Sequence, residues 1–279
     1  MTTTLRPSGP EERTPDGGRR RAYDICDNGR PVGTVVLAAA PWHGRLGGRI
    51  ERLAVAPPDR RRGRATVAAL AAEEVLRGWG CERVEAGLPA ADGPAPVALA
   101  AALGYAESGR SMVKELSGVP ALPPDSVPRP MTAREYDRWA AADRALLAGR
   151  LAGCGLPREA ARAAAERAQR ELLPDGPATR GMSLSVLAHR GTDVGTLWVR
   201  RDGAPGAGAE AWVYAVAVEE EHRGRGHGRT LMLAAERECA AAGVRLLGLH
   251  VHAGNTPARR LYDGLGYRTA ERRYGKTLR

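Results

Sequence analysis

Val216-Ala217-Val218-Glu219-Glu220-Glu221-His222-Arg223-Gly224-Arg225-Gly226-His227-Gly228-Arg229-Thr230-Leu231-Met232-Leu233 is the stretch on which the fold turns. Val216 to Val218 read as the end of a buried strand. The turn that follows holds three glycines and three arginines within seven residues, and Thr230 to Leu233 open a helix. Strand, glycine-rich turn and helix N-terminus together form an anion site. Glycines let the backbone approach a phosphate, successive amides converge on it, and the helix dipole favours negative charge. Arg223 and Arg225 add charge-assisted donors. A tight loop in a basic protein is the alternative for the turn taken alone.

Downstream, Arg245–His252 reads as a strand, Gly243 sits where a helix C-terminal glycine belongs, and Thr256–Gly264 reads as a second helix. Ser183–Ala188, Val194–Arg200, Trp212–Val218 and Arg268–Thr277 complete the strands, and Arg225–Ala242 is the long helix. Ahead of them, Ala133–Ala148 and Pro157–Leu173 are rich in helix formers. The alternation predicts a mixed α/β fold in which a helix leads into a central strand and another leads out of it.

The same order is present earlier in the chain, at an offset of about 162 residues. Gly29–Thr34 matches Gly191–Thr196, Leu53-Ala54-Val55 matches Val216-Ala217-Val218, Arg60 and Gly63 match Arg223 and Gly226, and Ala72-Glu73 matches Ala235-Glu236. Leu103-Gly104-Tyr105 matches Leu265-Gly266-Tyr267, and Lys114 and Leu116 fall opposite Lys276 and Leu278. A unit of this length is a domain, so the chain reads as a duplication. The expected organisation is a disordered Pro-, Gly- and Arg-rich tail over 1–21, a truncated first copy over 22–117, a proline-dense linker over 118–130, and a complete second copy over 131–279.

Composition narrows the function. The 279 residues suffice for two cores, and no apolar run approaches the length of a membrane span. A soluble cytoplasmic protein is expected. Cys26, Cys81, Cys154 and Cys239 are widely separated, so reduced, mostly buried thiols are expected and neither a zinc site nor a disulfide framework. The net charge of +10 is almost wholly arginine, Lys114 and Lys276 being the two lysines. The chain has no Phe, and its Tyr and Trp are scattered rather than interleaved with a cationic cluster. Nucleic-acid binding is therefore not expected.

Val218 to Gly228 resembles the acetyl-CoA-binding motif of the GNAT acetyltransferases, whose R-x-x-G-x-G/A pattern is met by Arg223, Gly226 and Gly228. Asn255-Thr256-Pro257-Ala258-Arg259-Arg260-Leu261-Tyr262-Asp263-Gly264-Leu265-Gly266-Tyr267 is similar to a second signature of that family, N-x-x-A-x-x-L-Y-x-x-x-G-F/Y. The resemblance implies tandem GNAT-type domains, each a central twisted mixed sheet flanked by helices, with splayed parallel strands forming the acyl-CoA cleft. It implies acetyl-CoA as cosubstrate, with Val216 and Val218 offering backbone to its pantetheine arm. Arg223, Gly224, Arg225, Gly226, His227, Gly228 and Arg229 would hold the pyrophosphate, Asn255 would contact the arm, and Tyr262 would protonate the departing thiolate. A phenol, with an ordinary pKa near ~10, is protonated at neutral pH and suits that task.

The implied activity is transfer of acetyl to a primary amine, on a small molecule or a peptide, by direct attack in a ternary complex. Glu210, Glu219, His250 and His252 are candidates for the general base, with none singled out; oligomeric state, including a homodimer, stays open. The first copy departs from the pattern: Arg61 stands where Gly224 does, Gly93 where Asn255 does, Ala100 where Tyr262 does, and too few residues precede Ala22 for the early helices. Catalysis is therefore expected in the second copy. A non-catalytic acyl-CoA sensor or scaffold is the alternative, and a basic nucleic-acid-binding protein is a third, less favoured reading.

Overall fold

A computed structural model describes residues 2–15, 17–42, 45–153 and 155–278. In chain order the elements are β1 (Thr3–Pro7), β2 (Glu12–Arg13), β3 (Arg19–Asp27), β4 (Arg30–Trp42), β5 (Arg45–Val55), α1 (Arg64–Gly78), β6 (Cys81–Pro89), α2 (Ala95–Ala102) and β7 (Ala106–Glu115). Then follow β8 (Ser126–Pro130), α3 (Ala133–Gly153), α4 (Arg158–Leu172), β9 (Met182–His189), β10 (Thr192–Arg200), β11 (Ala211–Val218), α5 (His227–Ala241), β12 (Leu246–His252), α6 (Thr256–Gly264) and β13 (Arg268–Thr277). Among the described residues no helix is long and apolar enough to cross a membrane.

The chain divides into two compact units, one of Met1–Ser108 with Arg272–Arg279, the other of Gly109–Glu271. The boundaries thus fall inside β7 and β13, and not in the proline-dense stretch. The reason is an exchange of closing strands. In the second unit β7 pairs antiparallel with β12, Met112 opposite Leu249. In the first unit the end of β13 lies beside β6, with the Leu278 amide 2.8 Å from the Glu82 carbonyl.

In the first unit the strand order is β1-β3-β4-β5-β6. Asn28 and Gly29, both at positive φ, form the two-residue turn joining β3 to β4, as Arg190 and Gly191 join β9 to β10. Val35, Leu37 and Ala39 of β4 are buried with Ala72 and Leu76 of α1, whereas Val36 and Ala38, on the other face, are only half-buried. Among the described residues nothing equivalent to α3 and α4 is inserted here, since only residues 8–18 separate β1 from β3. The tail expected to be disordered instead carries β1 and β2, both paired with β3. Leu5 packs on the core while its neighbours stay exposed, so β1 gains its stability from pairing and not from composition.

In the second unit the order is β7-β12-β11-β10-β9-β8, antiparallel except for the parallel pair β11 and β12. Leu197, Val199, Val213 and Leu249 bury one face against α5 and α6. Trp198, Leu184 and Val186 point the other way, toward α3. Part of the expected linker is β8, whose Pro128 and Pro130 are tolerated because the strand lies on an edge. Cys26, Cys81 and Cys239 are buried and unbridged, and Cys154 lies outside the described residues.

Candidate functional site

The parallel pair opens into a fork. Ala211 pairs with Leu247, Trp212 with Gly248 and Val213 with Leu249, and there the pairing ends, although β11 continues to Val218 and β12 to His252. The β12-side edge of β11 beyond Val213, including Val216 and Val218, is left without a strand partner. On its other edge Val216 pairs with Leu197 and Val218 with Gly195. Gly195 is required there, because a Cβ would lie 2.4 Å from the Ala217 carbonyl oxygen.

At the end of β11 the chain turns through Glu220–His222 and enters α5, which begins at His227, two residues later than the sequence suggests. Gly224 and Gly226 sit at φ +76° and +87°, and a Cβ on either would meet nothing within 4 Å. Open space beside two left-handed residues at a helix start fits a bound phosphate. The Arg223 Nε donates to the Val218 carbonyl at 3.3 Å, so this arginine also closes the turn. Arg225 is exposed. The Arg229 guanidinium donates to the Gly264 carbonyl at 3.2 Å and so ties α5 to the end of α6. Its amide, like that of Thr230, returns to the Gly226 carbonyl, leaving the amides of Gly226, His227 and Gly228 to open the helix.

His227 is buried, with its ring 5.0 Å from that of His189 and 6.3 Å from that of His222. Burial first, and then the nearby histidines and Arg225, lower its pKa. The first unit fills the matching positions with Asp27, Arg64 and Asp59, where the buried Arg64 guanidinium is ion-paired to both carboxylates. Among the described residues no group is arranged to hold a metal ion.

Asn255 is the N-cap of α6, its Oδ1 accepting the Ala258 amide at 3.2 Å. Tyr262, on the buried side of α6, belongs to the cluster of Val213, Leu249 and Val251, and Val216 and Val218 pack on its border. Burial raises its pKa and keeps the phenol protonated. Cys239 is also buried, its thiol pushed up to about 12, which removes it as a nucleophile at neutral pH.

Of the candidate bases, Glu210 precedes β11, at the paired end of the fork. Its carboxylate accepts the Arg245 amide at 2.7 Å, and that hydrogen bond lowers its pKa. It braces the strand end. Glu219 is exposed at the far end of β11. His250 and His252 share one face of β12, rings 5.3 Å apart, and the His252 Nε2 lies 3.5 Å from Arg150 of α3.

The α3 face of the fork also holds groups that sequence reasoning missed. Tyr214, the first residue of β11 beyond the paired segment, stacks on Trp198 at 4.7 Å. Trp198 meets Trp139 of α3 edge to face at 5.3 Å, and Tyr136 stands 6.0 Å from Trp139. Asp143 lies one turn further along α3. The helical spacing of Tyr136, Trp139 and Asp143 was the available signal.

The first copy keeps the frame and differs at the site positions. β5 and β6 fork after Ile50 and Ala86, and the Arg60 Nε donates to the Val55 carbonyl at 2.8 Å, as Arg223 does to Val218. Gly63 starts α1 at φ +73°, and Arg61 takes the left-handed conformation of Gly224, at φ +63°. Ala100 occupies the place of Tyr262 without a hydroxyl.

A family model for the acetyltransferase (GNAT) family matches residues 4–105 and 159–267. Among solved structures, a tandem GNAT protein from the clavulanic acid biosynthesis pathway is 24% identical, covering 96% of this chain and 85% of its own, with a TM-score of 0.50. A GCN5-related N-acetyltransferase from Sphaerobacter thermophilus is 21% identical, covering 92% and 81%, with a TM-score of 0.57. One from Kribbella flavida is 16% identical, covering 86% and 85%, with a TM-score of 0.50. No curated protein matches. The two matched regions fall one in each half of the chain, and the chain belongs to the GNAT acetyltransferase family.

Proposed function

We propose that the protein is an acetyl-CoA-dependent N-acetyltransferase whose second unit carries the transfer to a primary amine. The observation that carries this reading is the fork between β11 and β12, flanked by the open glycine turn on one side and by Tyr262 on the other. Acetyl-CoA supplies the activated acetyl thioester. The Gly226–Gly228 amides, with Arg223 and Arg225, offer donors and charge for its pyrophosphate. The unpaired edge of β11 at Val216 and Val218 offers backbone to its arm, and Asn255 fixes the start of the helix that carries Tyr262.

Tyr262 holds a proton for the departing thiolate. The neutral amine attacks the thioester carbonyl directly, with both substrates bound. The N–C bond forms as the C–S bond breaks, the thiolate leaves with the Tyr262 proton, the surplus proton on nitrogen passes to water, and no enzyme nucleophile is needed. The first unit keeps the frame and lacks the phenol, which supports a structural or binding role for it. Thiol release from acetyl-CoA with a panel of amines, followed by mass spectrometry of the products, tests the reading. Acetyl-CoA binding without transfer to any amine would favour an acyl-CoA sensor.

A further inference from the structure

The face of the fork turned toward α3 carries a carboxylate and an aromatic wall that the fold itself does not require. α3 crosses that face in a known direction. Its Trp139 meets Trp198, on which Tyr214 stacks, and its Arg150 reaches His252 at the tip of β12. Asp143 lies between the two on the helix, about 6 Å past Trp139 at 1.5 Å per residue. It therefore stands over the opening of the fork.

Asp143 is half-buried, and among the described residues no hydrogen bond or ion pair holds its carboxylate. Arg150 and Arg144 act on it only at longer range. Arg144 is itself engaged with Gln169 of α4. Burial raises the Asp143 pKa, as expected of a carboxylate taken from water without a partner. Such a group invites a cation.

The aromatic wall is equally specific to this unit. The first copy folds the same strands with Val36 where Trp198 stands and, at the same β-bulge, Glu51 where Tyr214 stands. It has no α3 to carry Tyr136, Trp139 or Asp143. Sheet formation thus does not demand the rings. Tyr136, Trp139 and Tyr214 each remain partly exposed, and among the described residues the buried Trp198 Nε1 has no hydrogen-bond partner. Aromatic faces beside a carboxylate are the chemistry that recognises an organic ammonium.

From this juxtaposition we infer that the acceptor is an amine on a flat apolar body, an arylalkylamine in class, whose ammonium is received by Asp143 and whose ring lies on Trp139 and Tyr214. The inference rests on the proposed acetyltransferase reading for the meaning of the fork. Its recognition step is separable from turnover. An acceptor bound this way brings its nitrogen to the opening where Tyr214 and His250 stand.

The test is a tryptophan-fluorescence titration of the full chain with phenethylamine in the presence of CoA, alongside butylamine and spermidine. Saturable binding of phenethylamine is expected, at least about tenfold tighter than butylamine, and weakened about tenfold or more by Asp143→Asn. Tyr214→Leu should erase the preference for phenethylamine over butylamine while leaving CoA binding unchanged. It also serves should Asp143→Asn fail to fold. Equal binding of the three amines, no saturable binding of phenethylamine, or an unaltered preference in a folded variant would overturn the inference. Thiol release with the same amines separates the two readings: binding without release sinks the enzyme reading alone, and release confined to spermidine sinks the arylalkylamine acceptor alone.

Discussion

The Lys276 ammonium donates to both carboxylate oxygens of Glu73, at 3.1 and 2.8 Å, across 203 residues of chain. The other unit repeats the arrangement with Lys114 and Glu236 at 2.7 Å. Each lysine also faces a tyrosine ring, Tyr105 at 5.6 Å and Tyr267 at 5.7 Å. These are the chain's two lysines, and each completes the unit opposite to its own sequence copy. Glu73 and Glu236 are almost fully buried, so each depends on the exchanged strand for its counter-charge.

Separating the copies at the proline-dense stretch should therefore fail. Residues 118–279 lack β7, leaving the edge of β12 open and Glu236 buried without a cation. In the full chain, Lys114→Met should cost about 3 kcal/mol, the lower end for a broken buried pair because the lysine is partly exposed. Urea denaturation of the variant and circular dichroism of the fragment check this. A fragment as stable as the full chain would contradict the exchange.

Arg223→Ala should weaken acetyl-CoA binding by about 1.5–3 kcal/mol, the scale of a charged hydrogen bond. Calorimetry measures it. Because the Arg223 Nε also closes the turn on Val218, Arg223→Lys should recover only part of the loss.

Tyr262→Phe keeps the ring in its cluster and deletes the hydroxyl. Turnover should fall about 10- to 100-fold, with acetyl-CoA affinity within about twofold of wild type. Equal rates under conditions where chemistry limits turnover would remove the phenol from the mechanism.

Stability should depend on pH through His227. Its folded pKa lies below the unfolded value near ~6.5, so the unfolded chain binds the proton more readily. The contribution is intact above that value and is lost as pH falls from there through the folded pKa. Urea midpoints of wild type should drop on acidification, and His227→Gln should flatten the drop. Parallel profiles would show that His227 does not carry it.

Much of this was legible because the decisive signals are local. Gly224, Gly226 and the Val216-Ala217-Val218 run fix the turn and the strand before it, and Asn255 marks a cap. The exchange of strands was not legible. Lys114 with Leu116 and Lys276 with Leu278 are equivalent pairs, so sequence cannot distinguish a strand that closes its own copy from one that closes the other. β1 was missed because Thr3–Pro7 is short and polar and is held by its pairing with β3. Glu210 looked like a base until its bond to the Arg245 amide placed it at the strand start. Asp143 was missed because its helical spacing with Tyr136 and Trp139 marks a shared face but not that this face is turned to the fork, a tertiary fact.

Gly226 and Gly63 offer the most direct test of which copy works. Both start a helix in the left-handed region, at φ +87° and +73°, and a Cβ on either meets nothing within 4 Å, so an aspartate imposes the same backbone strain at both. What differs is the ligand site each would spoil. Acetyl-CoA-dependent thiol release should be abolished by Gly226→Asp in the full chain and retained by Gly63→Asp. Retention in the first variant with loss in the second would move the active site to the other copy and contradict the account.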